Sequence, residues 1–332
     1  MANRLMLYSR ANPVVGMNRL LRSLILAREW QRRDGEVELV SGQLPALLRR
    51  KIAISGCQLH LAESRDKQQL AKQLLQMAGQ LDCPWIAVDD TSPELVEFLG
   101  EKKKSPQRLL VIGEAPPNSH TDFETGAEPA FALIRKNLQK RPSPTHKRKL
   151  PHRCLIDLSC LNGSESAGMI NRLCRPTGKL CATLDIISPF AASAVEQMNR
   201  QSPALRKRIF WHRNSDRLFA SLHAFDLAVT TDAASFFEAA WCRVASVLLA
   251  QRKPARAKDT DSLTTRPWII DRTSDDWVEN SCQHILGFLK QPDSIDQHAQ
   301  EMKRLVDTQG AMRICEFLQN GAIKESRRAR SA

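Results

Sequence analysis

The sequence predicts an α/β protein made of two doubly wound domains, each a parallel sheet with helices on both faces. Three observations carry this expectation. Short apolar, β-branched runs alternate with segments of helical period. The chain has 332 residues, too many for one core and enough for two domains of about 150 residues. The stretch "QKRPSPTHKRKLPH" at 139–152 then interrupts the alternation with three prolines and a cluster of cations, after which it starts again. Prolines and like charges both disfavour a helix there, so 139–152 reads as a linker. The expected domains are 1–138 and 153–318, with a basic tail at 319–332.

In the first half, strands are expected at 4–9, 36–41, 57–61, 84–88 and 108–112. Helices fall between them at 16–33, 43–55, 66–80 and 93–101. Helix 16–33 puts Leu20, Leu24 and Ala27 on one stripe and leaves Arg19, Arg22 and Arg33 outside it. In the second half, strands are expected at 153–159, 180–187, 207–211, 226–230, 244–249 and 267–270. Helices are expected near 166–175, 191–200, 215–223 and 234–241, then at 274–290 and 294–318. Two such domains joined by a linker leave a cleft at the carboxyl edges of their sheets, where ligands of this fold class bind.

Composition narrows the function. Nine cysteines without a CxxC pair argue against a zinc ribbon and a disulfide framework. Most lie in apolar runs and read as buried, reduced thiols. No apolar run is long enough to span a bilayer, and "RLMLY" followed by Arg10 is not a signal peptide. A cytoplasmic protein is expected. The net charge of +13 suits an anionic partner, yet the excess gathers in "EKKKSPQR", in the linker region and in "KESRRARSA". One tyrosine and 5% aromatic residues leave little for base stacking, so no specific nucleic-acid partner is expected. No spacing suggests a metal site, no cofactor is expected, and nothing sets an oligomeric state.

The stretch "SRANPVVGMNRLLRSLILA" from position 9 joins the first strand to the first helix through a turn holding Gly16. Strand–turn–helix junctions of this kind often hold phosphates. Three further stretches stand in order behind it: "AEPAFALIRKNL", "LIDLSCLNGSESAGMINRL" and "AFDLAVTTDAASFFEAAW". Together the four resemble the UDP-sugar hydrolases of pseudaminic acid biosynthesis and their relatives in spore-coat polysaccharide synthesis. The resemblance covers most of the chain. It implies a GT-B fold, with two Rossmann-like domains and a UDP-sugar between them.

In that family water displaces UDP from the sugar, helped by a histidine in the first glycine turn. The resemblance puts Arg19 at the position of that histidine, Asn18 at the second glycine, and Arg22 on the family's arginine. Gly16 keeps the first glycine. The family's R-x-D element becomes Arg10-Ala11-Asn12. A guanidinium stays protonated at working pH and cannot take a proton from water, though it can bind phosphate. Hydrolysis by the family's mechanism is therefore expected to be impaired.

In the second domain Glu238 matches the carboxylate that accepts hydrogen bonds from the ribose hydroxyls. The turn before it, Thr231-Asp232-Ala233-Ala234-Ser235, can offer backbone amides to a diphosphate. Asp232 also reads as a helix N-cap that competes for those amides. Ser159, Asn162, Gly163 and Ser164 match the family's opening turn of that domain and suit a small anion nest. His120 in "NSHTDF" and His212 after "RIFW" are the candidate substitutes for the lost histidine, against a bland reading as loop or capping residues. The adjacent Asp89 and Asp90 in "VDD" end a strand, and side chains of neighbouring strand residues point apart.

Three functions follow in order. The first is a divergent UDP-sugar-binding protein, acting as a hydrolase or glycosyltransferase if it is active. The second is a non-catalytic scaffold or regulator on the same fold, and the third a basic protein of nucleic acid or membrane surfaces.

Overall fold

The computed structural model describes residues 3–320 apart from 12–17, 63, 65, 91, 105–106, 114, 117–118, 127, 136–137, 139–151, 191, 202–205, 214–217, 251–267 and 273. The chain divides into two compact units. The first holds Met1–Ala11, Arg19–Leu133 and Asp307–Ala332, the second Asn12–Asn18 and Ile134–Val306.

The first unit is built on β1 (Arg4–Ser9), β2 (Glu36–Ser41), β3 (Gln58–Leu61), β4 (Trp85–Asp89), β5 (Arg108–Val111) and β6 (Phe123–Glu124). Its order is β3-β2-β1-β4-β5-β6, all parallel. The helices are α1 (Asn18–Gln31), α2 (Ala46–Ile54), α3 (Lys67–Gln80) and α4 (Pro93–Lys102). Met6, Tyr8, Val40, Ile86 and Val88 form one apolar cluster with Leu70, Leu74 and Ala78 of α3 and Leu95, Val96 and Leu99 of α4. Their neighbours Leu5, Leu7, Leu39 and Ala87 alternate to the other face of the sheet and are fully buried there. Burial on both faces explains why these strands read as unbroken apolar runs.

The second unit repeats the plan. It contains β7 (His152–Asp157), β8 (Cys181–Ile187), β9 (Ile209–His212), β10 (Leu227–Thr230), β11 (Ala245–Ala250) and β12 (Ile269–Asp271). The order β12-β11-β10-β7-β8-β9 is the same pattern counted from β7. Its helices are α5 (Gly163–Met169), α6 (Arg175–Leu180), α7 (Ala192–Gln201), α8 (Ala233–Trp241), α9 (Trp277–Lys290) and α10 (Pro292–Leu305). A π-helical turn at Ile170–Cys174 joins α5 to α6, and Leu218–Ala224 is 3-10 rather than α-helical. Cys154, Ile156, Leu184, Ile186, Val229 and Val247 pack with Met169, Cys282 and Ile285 in its core. Among the described cysteines only Cys160 is exposed. Burial pushes the Cys83 and Cys242 thiols up to about 12.

The strands expected from sequence are present, with ends shifted by one or two residues. The expected linker lies outside the described residues up to 151, and His152 already belongs to β7. One expectation is corrected. The continuous helix at 294–318 is two helices, broken after Leu305, and α11 (Gly310–Asn320) packs on the first unit. The Trp85 indole donates to the Leu318 carbonyl (2.9 Å), Phe317 stacks on Phe123 (centroids 4.1 Å apart), and Arg313 donates to the Ala130 carbonyl (2.9 Å). The second unit therefore ends at Val306 rather than 318, because the apolar stripe Ile314, Cys315 and Leu318 is buried in the other unit. Residues 319–320 complete that helix, and the rest of the expected tail lies outside the described residues.

Gly310 starts α11 against the backbone of Ala132, and a Cβ there would collide with the Ala132 carbonyl. Backbone cannot yield as a side chain does. Gly310→Ala is expected to cost about 1–3 kcal/mol, the usual cost of overpacking, read as a lower denaturant midpoint.

Candidate functional site

In both units the strand order reverses beside the first strand, between β1 and β4 and between β7 and β10. Helices following the two strands leave to opposite faces at such a point, so the carboxyl ends of the strands stand open to a ligand. Most of the residues singled out in the sequence lie at these two reversals.

In the first unit Ser9 and Asp89 are register partners at the ends of β1 and β4. Arg22 of α1 is buried, and its guanidinium forms a two-pronged pair with Asp89, Nε to Oδ2 at 2.6 Å and Nη2 to Oδ1 at 2.5 Å. The Ser23 hydroxyl adds a longer contact of 3.4 Å. Arg22 was expected outside the apolar stripe. It turns inward because Asp89 ends the neighbouring strand, and a buried carboxylate needs a cation.

Asp90 is also buried, and it gathers Lys67 Nζ at 3.0 Å, the Ser92 amide at 3.1 Å and Arg19 Nη1 at 3.6 Å. Asp66 caps α3 by accepting from the Gln68 and Gln69 amides, which sets Lys67 at the first helical position. Burial alone raises the Asp90 pKa, but Arg19, Lys67 and the Ser92 amide outweigh it and hold the carboxyl below its ordinary value. Asp90 is thus ionised and weakly basic at neutral pH. Neither it nor Arg19 suits proton abstraction. Arg19 and Lys67 both approach this carboxylate, and Arg19 keeps 20% of its side chain exposed. Arg10, past the end of β1, is exposed, and Gly16 lies outside the described residues.

In the second unit the turns after β7 and β10 are tied together. The Thr231 amide and hydroxyl both donate to the Asp157 carbonyl (3.0 and 3.2 Å), and the Cys160 amide donates to the Thr231 hydroxyl (3.2 Å). The Ser159 amide donates to the Asp157 carboxylate at 3.0 Å. Asn162 is the N-cap of α5, and its side chain accepts from the Glu165 amide (2.9 Å) and the Ser164 hydroxyl (2.7 Å). Glu165 reaches back to the Asn162 amide (3.1 Å) to complete a capping box. The expected anion nest at Ser159, Asn162, Gly163 and Ser164 is thus a turn with its own acceptors in place.

Asp232 caps α8, as the sequence suggested. It accepts from the Ser235 amide at 3.2 Å and hydroxyl at 2.9 Å. Ala233 and Ala234 occupy the first turn of α8 behind it. A carboxylate at the helix start takes one amide that a diphosphate would use and adds charge of the wrong sign.

Glu238, one turn on, is buried. Arg135 donates to it three times, backbone N to Oε1 (3.2 Å), Nε to Oε1 (2.7 Å) and Nη2 to Oε2 (2.6 Å). Arg135 Nη1 also donates to Asn18 Oδ1 at 2.8 Å; Asn18 clusters with this unit. Arg135 was not named in the sequence, although it closes the apolar run "AFALI" inside the stretch "AEPAFALIRKNL" that carries part of the resemblance.

The two histidines are not at the reversals. His120 is an exposed loop residue before β6, with its backbone against Gly100. His212 ends β9, at the edge of the second sheet, and its Nε2 bonds to Asp185 of β8 at 2.7 Å. Among the described residues no group of histidine, cysteine and carboxylate side chains is arranged to hold a metal.

No protein-family model matches the chain, and neither does any curated protein sequence. Solved structures do match. The co-structure of S. aureus MnaA with UDP aligns at a TM-score of 0.62, with 10% identity over 96% of each chain. A glycosyltransferase from Rickettsia africae aligns at 0.57, with 8% identity over 97% of this chain and 100% of the other. A UDP-GlcNAc 2-epimerase from Neisseria meningitidis, bound to UDP-GlcNAc, aligns at 0.54, with 8% identity over 95% and 99%.

The fold is GT-B. At these identities the likeness shows the architecture alone, two Rossmann-like domains each with a six-stranded parallel sheet. In this GT-B chain each reversal carries a buried arginine–carboxylate pair, Arg22–Asp89 in one unit and Arg135–Glu238 in the other. No helix among the described residues is long and apolar enough to cross a membrane.

Removing Arg22 would strand the buried Asp89. Arg22→Ala is expected to destabilise by about 3–5 kcal/mol in urea unfolding, and the double change Arg22→Met with Asp89→Leu by much less. Asp90 gives a pH signature. A carboxyl with a depressed folded pKa stabilises above its unfolded pKa of about 4, and this is lost as pH falls through the folded value. Lys67→Met removes one cause of the depression, so its acid unfolding should begin at higher pH than that of the native chain.

Proposed function

We propose that this chain binds a nucleotide sugar, a UDP-sugar in the first instance, and that the hydrolysis suggested by its resemblance is lost. The observation that carries the reading is Glu238, a buried carboxylate at the reversal of the second sheet in a GT-B fold. A carboxylate has about four acceptor positions, and Arg135 takes three, which leaves one for a ribose hydroxyl. The fold is shared with the S. aureus MnaA co-structure with UDP and with the N. meningitidis epimerase bound to UDP-GlcNAc.

Loss of hydrolysis rests on proton chemistry. Arg19 stands where the resemblance expects a histidine, and Asp90 beside it is held too acidic to serve as an efficient base. If the protein is active, transfer or hydrolysis has to draw its base from elsewhere, including the ligand or an acceptor.

A second reading, a non-catalytic scaffold on the same fold, is favoured by one feature. Asp232 and Arg135 already occupy groups that a diphosphate and a ribose would use. Calorimetry with UDP separates the two. Binding below millimolar is expected for the first reading, and its absence at millimolar UDP leaves the scaffold. Where UDP binds, Glu238→Gln is expected to weaken it by about 1–3 kcal/mol, the worth of a hydrogen bond to a charged group; an unchanged affinity would remove the ribose role. Release of UDP from UDP-sugars is expected to be absent, and robust turnover would reveal a base that Arg19 does not replace.

A further inference from the structure

β9 is an edge strand, paired only with β8 among the described residues. Such an edge is usually hidden or blunted by charge. Here it carries exposed aromatics, Phe210 at 44% and Trp211 at 37%, and Phe190 in the turn after β8 is 57% exposed; these are the exposed large aromatics among the described residues. Trp211 and the Phe190 backbone both bond to Ser188. The Trp211 indole donates to the Ser188 carbonyl at 2.9 Å, and the Phe190 amide donates to the Ser188 hydroxyl at 3.3 Å. Exposed cations flank the strand on both sides, Arg206, Lys207 and Arg208 before it and Arg213 after it, in the run "RKRIFWHR". None of these four has an ion pair among the described residues.

We propose that this edge is a docking surface for an anionic lipid bilayer. Trp favours the headgroup boundary, and exposed Phe rings bury in the apolar layer just beneath it. Lys and Arg beside them are drawn to the negative surface potential of acidic lipids. The geometry disfavours two other occupants. Phe210 and Trp211 are adjacent on a strand and point to opposite faces of the sheet, so they form a wedge projecting from its rim and not the flat platform that stacked bases need. A second copy paired along β9 would bring two clusters of cations together, and like charges opposite each other destabilise a strand pair.

Flotation of the full chain with phosphatidylcholine vesicles, with and without phosphatidylglycerol, tests the proposal. The chain should float only with the anionic vesicles, and added salt should release it. Phe210→Ser with Trp211→Ser should lower binding ~10-fold, and so should Arg206→Gln, Lys207→Gln, Arg208→Gln and Arg213→Gln together, which alters only exposed cations. Trp211→Phe should keep flotation but lose the blue shift of tryptophan emission on binding. Undiminished flotation of the four-Gln variant would overturn the proposal and move the contact to the linker or the tail. Failure of the native chain to float, or its displacement from vesicles by single-stranded RNA competing for the same aromatics, would overturn it as well.

Discussion

A buried carboxylate must meet a cation within its own domain, and both halves of this protein are arranged around that requirement. Asp89 has Arg22, Asp90 has Lys67 and Arg19, and Glu238 has Arg135. The Arg22–Asp89 pair joins α1, which follows β1, to the end of β4, across the strand-order reversal of the first sheet. The requirement is severe because an isolated charge in an apolar interior costs far more than a well-formed pair returns. These pairs therefore fix how α1 and α8 sit on their sheets, besides shaping whatever binds there.

The same requirement limits the chemistry. A group held tightly by an opposite charge is a poor proton acceptor, so Asp90 cannot stand in for an imidazole, and Arg19 carries no lone pair to offer. On the proposed reading the groups offered to a ligand are amides at the start of α8, the Glu238 carboxylate, and the cations Arg19 and Lys67. Asp232 works against anion binding at α8, since its carboxylate sits on the amide of Ser235. A ligand there gains affinity by displacing or reorienting that cap, which costs some helix stability.

The fold was legible in the sequence because it rests on local signals. The run "RLMLYS" is buried on both faces, so it reads as a strand without knowledge of its neighbours. Asp232 read as a cap because capping is decided within three residues. What could not be read was long-range. Arg22 and Asp89 are 67 positions apart and Arg135 and Glu238 are 103 apart, and no periodicity links such positions. The return of α11 to the first unit was hidden for the same reason. Its apolar stripe announces a helix but not which core it covers. His212 lies away from the reversal because its strand is the last in the sheet, and strand order is not written in any single strand.

The excess positive charge also gains a location. Read along the chain, it concentrates in the linker region and the tail, which suggests solvated segments. On the structure, a separate cluster brackets β9, and what sets it apart is aromatic surface beside it. Charge alone at an edge strand is well explained as protection against pairing with another sheet. Protection, however, calls for polar side chains throughout, and exposed Phe210 and Trp211 defeat it. An edge that repels another strand through its cations while presenting apolar rings fits a partner that is negative at its surface and apolar just beneath, and a bilayer has that layering.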